Sequence, residues 1–133
     1  MQERTFINKV HKKLPPTIYK WKINDSYTGG VPDCFYSGLA GHCFVEYKFK
    51  KELPKRDKTP INFNLSTQQE LWLTERSKQG VPCYVALAVD NLIVLTQKFE
   101  KSNQYLTGEF LEDSMLFEDF VAKLTKMCVE YGT

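Results

Sequence analysis

A single short run, Val45-Glu46-Tyr47-Lys48, limits what this chain can fold into more than any other part of it. It sets a carboxylate and an ammonium two positions apart inside an apolar, β-branched and aromatic stretch. Side chains in a strand alternate between faces, so Glu46 and Lys48 point one way while Cys43, Val45, Tyr47 and Phe49 point the other. One face of the resulting sheet must therefore carry an acid and a lysine side by side. Upstream, Gly30-Val31-Pro32-Asp33 places a second carboxylate at a turn-to-strand junction. Clustering these acids in a part-buried setting is costly unless something neutralises them, and a divalent cation is the usual means. The pattern suggests a metal site with a lysine beside it.

The rest of the chain supplies the elements around that strand. Phe6, Val10 and Leu14 recur every four residues with Ile7 beside them, which predicts a helix over 2–14, stopped by Pro15-Pro16. Glu3 opens its apolar stripe; an acid is also favoured there by the helix dipole, and both readings stand. Alternation of Tyr19, Trp21 and Ile23 with Lys20 and Lys22 predicts a half-buried strand over 17–23. Strands over 33–36 and 42–49 form a hairpin through Ser37 to Gly41, and residues 50–63, with Pro54 and Pro60, form a loop long enough to act as a flap. Ser66 and Gln69 fit a capping box opening a helix that closes at Gly80. A nearly continuous apolar run over 81–89 predicts a strand covered on both faces, followed by an Asp90-Asn91 turn into a strand over 92–95. Residues 97–112 give no regular element. Phe117, Val121, Leu124, Cys128 and Tyr131 mark an amphipathic helix over 114–131.

With 42% hydrophobic and 14% aromatic residues, the 133-residue chain reads as one domain, 1–133, with its own core. The apolar runs are too short to span a membrane, and the first residues lack the basic-then-apolar order of a secretory leader, so a soluble cytoplasmic protein is expected. Cys34, Cys43, Cys83 and Cys128 have no Cys-x-x-Cys spacing and read as reduced, buried core residues; zinc binding through Cys34, His42 and Cys43 would lack a fourth ligand. His11 and His42 have no partner pattern and are given no catalytic role. Charge is divided unevenly. Residues 1–66 carry 12 Lys or Arg against 6 Asp or Glu, net +6, whereas residues 67–133 carry 6 against 10, net −4. The densest basic portion, Lys48, Lys50, Lys51, Lys55, Arg56 and Lys58, suits a polyanion, although a solvated loop would look the same.

Pro32-Asp33 followed by Glu46-x-Lys48 resembles the signature of the PD-(D/E)XK nuclease superfamily. The glycine before Val-Pro-Asp, and Leu65-Ser66-Thr67-Gln68-Gln69 opening a helix, resemble the VRR-NUC branch and its phage-encoded relatives over about residues 1–96. The resemblance implies an α/β fold, a mixed central β-sheet flanked by helices as in restriction endonucleases, and a Mg²⁺- or Mn²⁺-dependent DNA endonuclease. It further implies a structure-selective enzyme acting on branched or junction DNA in the manner of Holliday-junction resolvases, working as a homodimer, and a phage origin with action in the host-cell cytoplasm.

On this reading Asp33 and Glu46 are metal ligands, and the resemblance implies that the Tyr47 backbone carbonyl completes the site. Glu3 would add a third carboxylate. Lys48 would orient or deprotonate the attacking water and stabilise the phosphorane. Gln69 would contact the scissile phosphate or a water held by the cation, with Gln68 the alternative and the capping box a competing role. Lys50, Lys51, Lys55, Arg56 and Lys58 would bind DNA. Two other functions fit the pattern: a catalytically silent nucleic-acid-binding module that keeps the fold, and a flap or single-strand nuclease. For a dimer, Phe110, Phe117 and Phe120 offer contacts, unless they complete the monomer.

Overall fold

The structure is a computed structural model and describes residues 3–25, 27–62, 64–100 and 105–130. Gln2 and Tyr131, expected at the outer ends of the first and last helices, lie outside the described residues. In chain order the elements are α1 (Glu3–Lys13), β1 (Tyr19–Lys22), β2 (Cys34–Ser37), β3 (His42–Lys50), α2 (Thr67–Lys78), β4 (Cys83–Val89), β5 (Leu92–Thr96), α3 (Thr107–Asp113), β6 (Met115–Leu116) and α4 (Phe117–Val129). The strands form one six-stranded sheet in the order β1-β2-β3-β4-β5-β6. Among the described residues only β3 and β4 run parallel, joined through α2; the other neighbours are antiparallel. A parallel pair needs a long crossover, and the helix between Ser66 and Gly80 supplies it.

Alternation along the strands sorts the interior into two layers. Cys43, Val45 and Tyr47 of β3 join Ala86 and Ala88 of β4 beneath α1 and α4, against Phe6, Val10, Phe120 and Leu124. Val85, Leu87 and Val89 lie on the opposite face with Leu73 of α2, Phe110 of α3, Ile61, Phe99 and Tyr105. Both faces of β4 are covered, as its unbroken apolar run predicts. The face bearing Glu46 and Lys48 is the α2 face, since Glu46 pairs in register with Val85 and Lys48 with Leu87.

Four expectations are corrected. Tyr19 and Trp21 are 59% and 47% exposed, because β1 is an edge strand and α2 does not extend over it; the alternation marks an aromatic side, not a buried one. Residues 97–112 do contain structure: α3 begins at Thr107, and β6 then adds a short edge to β5 before α4 starts at Phe117, three residues later than expected. The loop after β3, expected as a flap, is anchored along residues 57–61. Ile61 N–H donates to the Tyr105 carbonyl, Thr107 and Gly108 N–H donate to the Thr59 and Asp57 carbonyls, and Ile61 is buried. Finally, Phe110 and Phe120 are fully buried and Phe117 nearly so, so these rings complete the monomer's core and offer no dimer contact.

One close approach fixes the loop that carries Asp33 against the helix that carries Gln69. Gly30 lies at φ +86°, and a Cβ there would collide with the Gln68 carbonyl oxygen. Gly80 shares the left-handed conformation, φ +83°, but has nothing within 4 Å of its Cβ direction. The two positions separate backbone strain from collision. Gly80→Ala is expected to cost about 1–2 kcal/mol, the strain of the left-handed region alone; Gly30→Ala should cost distinctly more, as read from denaturant unfolding midpoints at constant slope.

Candidate active site

Glu46 is 3% exposed, in the middle of the central strand pair. Two groups meet its carboxylate. Lys48 Nζ lies 3.5 Å from Oε2, and Gln69 Nε2 donates to the same oxygen at 3.0 Å. Gln69 reaches Glu46 because of its place at the start of α2. Its Oε1 accepts from Ser66 N–H at 2.9 Å while Ser66 Oγ accepts from Gln69 N–H at 3.1 Å, a reciprocal capping box. The capping role and the site role thus do not compete: the amide oxygen caps the helix and the amide nitrogen serves the carboxylate. Gln68 is exposed and lies against Gly29, away from Glu46.

Asp33 is brought in by the parting of β2 from β3. The ladder ends at Cys34 opposite Val45, and one step beyond it Asp33 Oδ2 accepts from Tyr47 N–H at 2.8 Å. The side chain replaces a missing strand residue. Phe44 N–H donates to Pro82 on the β4 side, so the backbone groups of residue 47 face the β2 side, and the Tyr47 carbonyl opens into the gap that Asp33 borders. Behind the gap, Tyr47 OH hydrogen-bonds Tyr36 OH at 2.8 Å, and Tyr36 OH meets His11 Nε2 at 2.8 Å. This buried chain ties β3 to α1, the helix that carries Glu3. No spacing in the sequence signals it, because His11 and Tyr36 meet only through the tertiary fold.

The electrostatics place three carboxyl groups in one neighbourhood. Burial, then the charges of Asp33 and Glu3, push Glu46 up to about 8, against the pull of Lys48. Glu3 is raised by burial first, then by the charge of Asp33, with which it shares a side-chain hydrogen bond; Lys48 and Lys22 act in the other direction. Among the described residues no set of three or more His, Cys, Asp or Glu side chains is gathered closely enough to enclose an ion. Two carboxylates and a carbonyl nevertheless fit a hard divalent cation, which keeps much of its water shell and is attracted by the uncompensated charge. Lys50 continues the Glu46 and Lys48 face at the end of β3, half-buried, while Lys51, Lys55, Arg56 and Lys58 are exposed beyond it. The four cysteines are free and buried, as expected.

The mixed sheet with helices on both faces is a restriction-endonuclease-like α/β fold. A structure with this fold to which the chain is similar is Archaeoglobus fulgidus Hjc, a Holliday junction resolvase from an archaeal hyperthermophile. The TM-score is 0.59 at 18% identity, over 92% of this chain and 97% of that one. No protein-family model and no curated protein matches the sequence. Among the described residues no helix is long and apolar enough to cross a membrane.

The raised Glu46 has a consequence for stability. With a folded value of about 8 against an ordinary 4.5, its protonated form favours the fold fully below pH 4.5, and that contribution is lost as the pH rises towards 8. Without metal, the melting temperature of the native protein should therefore fall more steeply between pH 5 and 8 than that of Glu46→Gln. Added Mg²⁺ should restore the native protein at pH 8 and leave Glu46→Gln unmoved, both read by thermal unfolding with and without EDTA.

Proposed function

We propose that this chain is a divalent-cation-dependent DNA endonuclease that hydrolyses phosphodiester bonds in branched or junction DNA. The observation that carries the reading is the meeting of Asp33, Glu46, Lys48 and Gln69 where β2 parts from β3. Bound Mg²⁺ or Mn²⁺ would supply Lewis acidity and charge neutralisation at the phosphate. Asp33, Glu46 and the Tyr47 carbonyl would hold it, with Glu3 reinforcing the negative charge through Asp33. Lys48, already drawn to Glu46, would orient the attacking water and offset charge on the phosphorane with its ammonium, the water's proton passing to solvent. Gln69 would fix the Glu46 carboxylate and present its amide N–H to the phosphate side.

The structural neighbour's activity on Holliday junctions supports a branched substrate, and the glycine before Val-Pro-Asp with the Ser66 to Gln69 helix start supports a VRR-NUC-like, phage-type assignment. One acid cluster serves one strand. Cutting both strands of a symmetric junction would take a homodimer about a two-fold axis, with contacts outside the buried Phe110 and Phe120.

Asp33→Ala, Glu46→Ala and Lys48→Ala should each lower cleavage of a labelled four-way junction by roughly 10²–10⁴-fold while the protein stays folded. Lys48→Arg should be impaired as well, because the larger planar guanidinium does not reproduce the compact ammonium beside Glu46. Ordinary turnover by Glu46→Ala would refute the site. Neutralising Lys50, Lys51, Lys55 and Arg56 to Gln should flatten the dependence of DNA affinity on salt, by up to about 0.9 in log–log slope for each phosphate that is no longer neutralised. An unchanged slope would place these side chains away from DNA.

A further inference from the structure

The α2 face of the sheet does not end at the acid cluster. Trp21, Phe35 and Phe44 are register partners across β1, β2 and β3, so their side chains stand in one row. Phe35 and Phe44 lie with ring centres 4.8 Å apart, Trp21 and Tyr19 flank Phe35 at 6.4 and 6.5 Å, and Trp72 of α2 closes the row 5.2 Å from Phe44. α2 and α3 cover the β3–β5 part of this face, and the outer end of the row is open: Trp21 and Tyr19 are about half exposed. Rings of this size are not left on a surface for the sake of the core.

The row adjoins the candidate active site along two elements at once. Phe44 precedes Glu46 by two residues on the same face of β3, about 7 Å along the strand. Trp72 follows Gln69 by one helical step on the same face of α2, so the helix presents Gln69 to Glu46 and Trp72 to Phe44. Arg76, one turn on, places its guanidinium 5.8 Å from the Trp72 ring centre and brings positive charge to the row. Trp21, Phe35 and Phe44 come from the net +6 half of the chain and Arg76 adds charge beside Trp72, so a second copy would bring like charge against like. A polyanion with flat, apolar bases suits it on both counts.

We propose that Trp21, Phe35, Phe44 and Trp72 form a stacking platform for unpaired nucleobases next to the scissile phosphate. It rests on the nuclease reading above and narrows its substrate class: DNA with unpaired nucleotides beside the cleavage point, such as a flap, a single-stranded arm or an opened junction centre. Paired bases in a continuous duplex present no free faces to these rings.

The chain has only two tryptophans, and both belong to the row, so intrinsic fluorescence reports on it directly. Titrating a short oligothymidylate into the protein in EDTA should quench the tryptophan emission, whereas a blunt duplex of equal length should quench it far less. Trp21→Ala, at an exposed position, should fold normally and lose roughly 5- to 150-fold in affinity for the single strand, the worth of one stacked base; Trp21→Phe should recover most of it. Unchanged single-strand affinity in Trp21→Ala would overturn the platform, and so would emission that changes with protein concentration alone, which would mark the row as a contact between copies. The nuclease reading fails separately: quenching in EDTA without any cleavage in Mg²⁺ leaves the platform standing and removes the enzyme, while cleavage without quenching removes only the platform.

Discussion

A carboxylate buried in the middle of a sheet is the constraint to which the surrounding structure answers. Glu46 could lie there protonated at little cost, and burial drives it in that direction, to about 8. Held ionised at neutral pH, it needs compensation from several sides. Lys48 supplies a charge and Gln69 a hydrogen bond, both on Oε2. Neither cancels Asp33 and Glu3, whose charges raise Glu46 further. A protein that needed only a stable sheet would carry an apolar residue here, since buried ion pairs seldom outperform hydrophobic packing of the same volume. The residual negative charge leaves the gap attractive to a cation.

The geometry about Glu46 depends on the backbone as much as on side chains. β2 stops pairing with β3 at Cys34, and Asp33 keeps the edge satisfied by accepting the Tyr47 N–H with its carboxylate. Its own carbonyl accepts from Ile23 N–H, which holds the loop to β1. The loop can make this turn only because Gly30 lets it pass against the Gln68 backbone, so the start of α2 and the second carboxylate are fixed by one contact. The hydroxyl chain from Tyr47 through Tyr36 to His11 then couples the strand to α1. Three elements far apart in sequence thus converge on one gap.

Much of this is legible in the sequence alone. The alternation of Val45-Glu46-Tyr47-Lys48 places Glu46 and Lys48 on one face, and the capping box locates α2 and hence Gln69. Core helices and strands with unbroken apolar periodicity are likewise readable, with ends displaced by a few residues. What sequence does not show is which face has a cover. Tyr19 and Trp21 alternate like a half-buried strand, but whether a helix lies over them depends on where α2 crosses, a tertiary fact. The same holds for Phe110 and Phe120, whose aromatic character suits an interface and a core equally well. α3 has seven residues and is docked through the Thr59 to Ile61 segment, so its existence depends on a partner far away in the chain and not on a period of its own.

The two readings of the aromatic side and the acid side meet in α2. Residues three apart on a helix share a face, so any rotation that carried Gln69 away from Glu46 would carry Trp72 away from Phe44. The aromatic contact therefore helps hold the amide on the carboxylate, and a base stacked on the row would add to that restraint. On the proposed reading, substrate with unpaired nucleotides would stabilise this placement of Gln69, whereas a continuous duplex would contribute only its phosphates. On the same reading, a few rings beside a small acid cluster would favour distorted DNA.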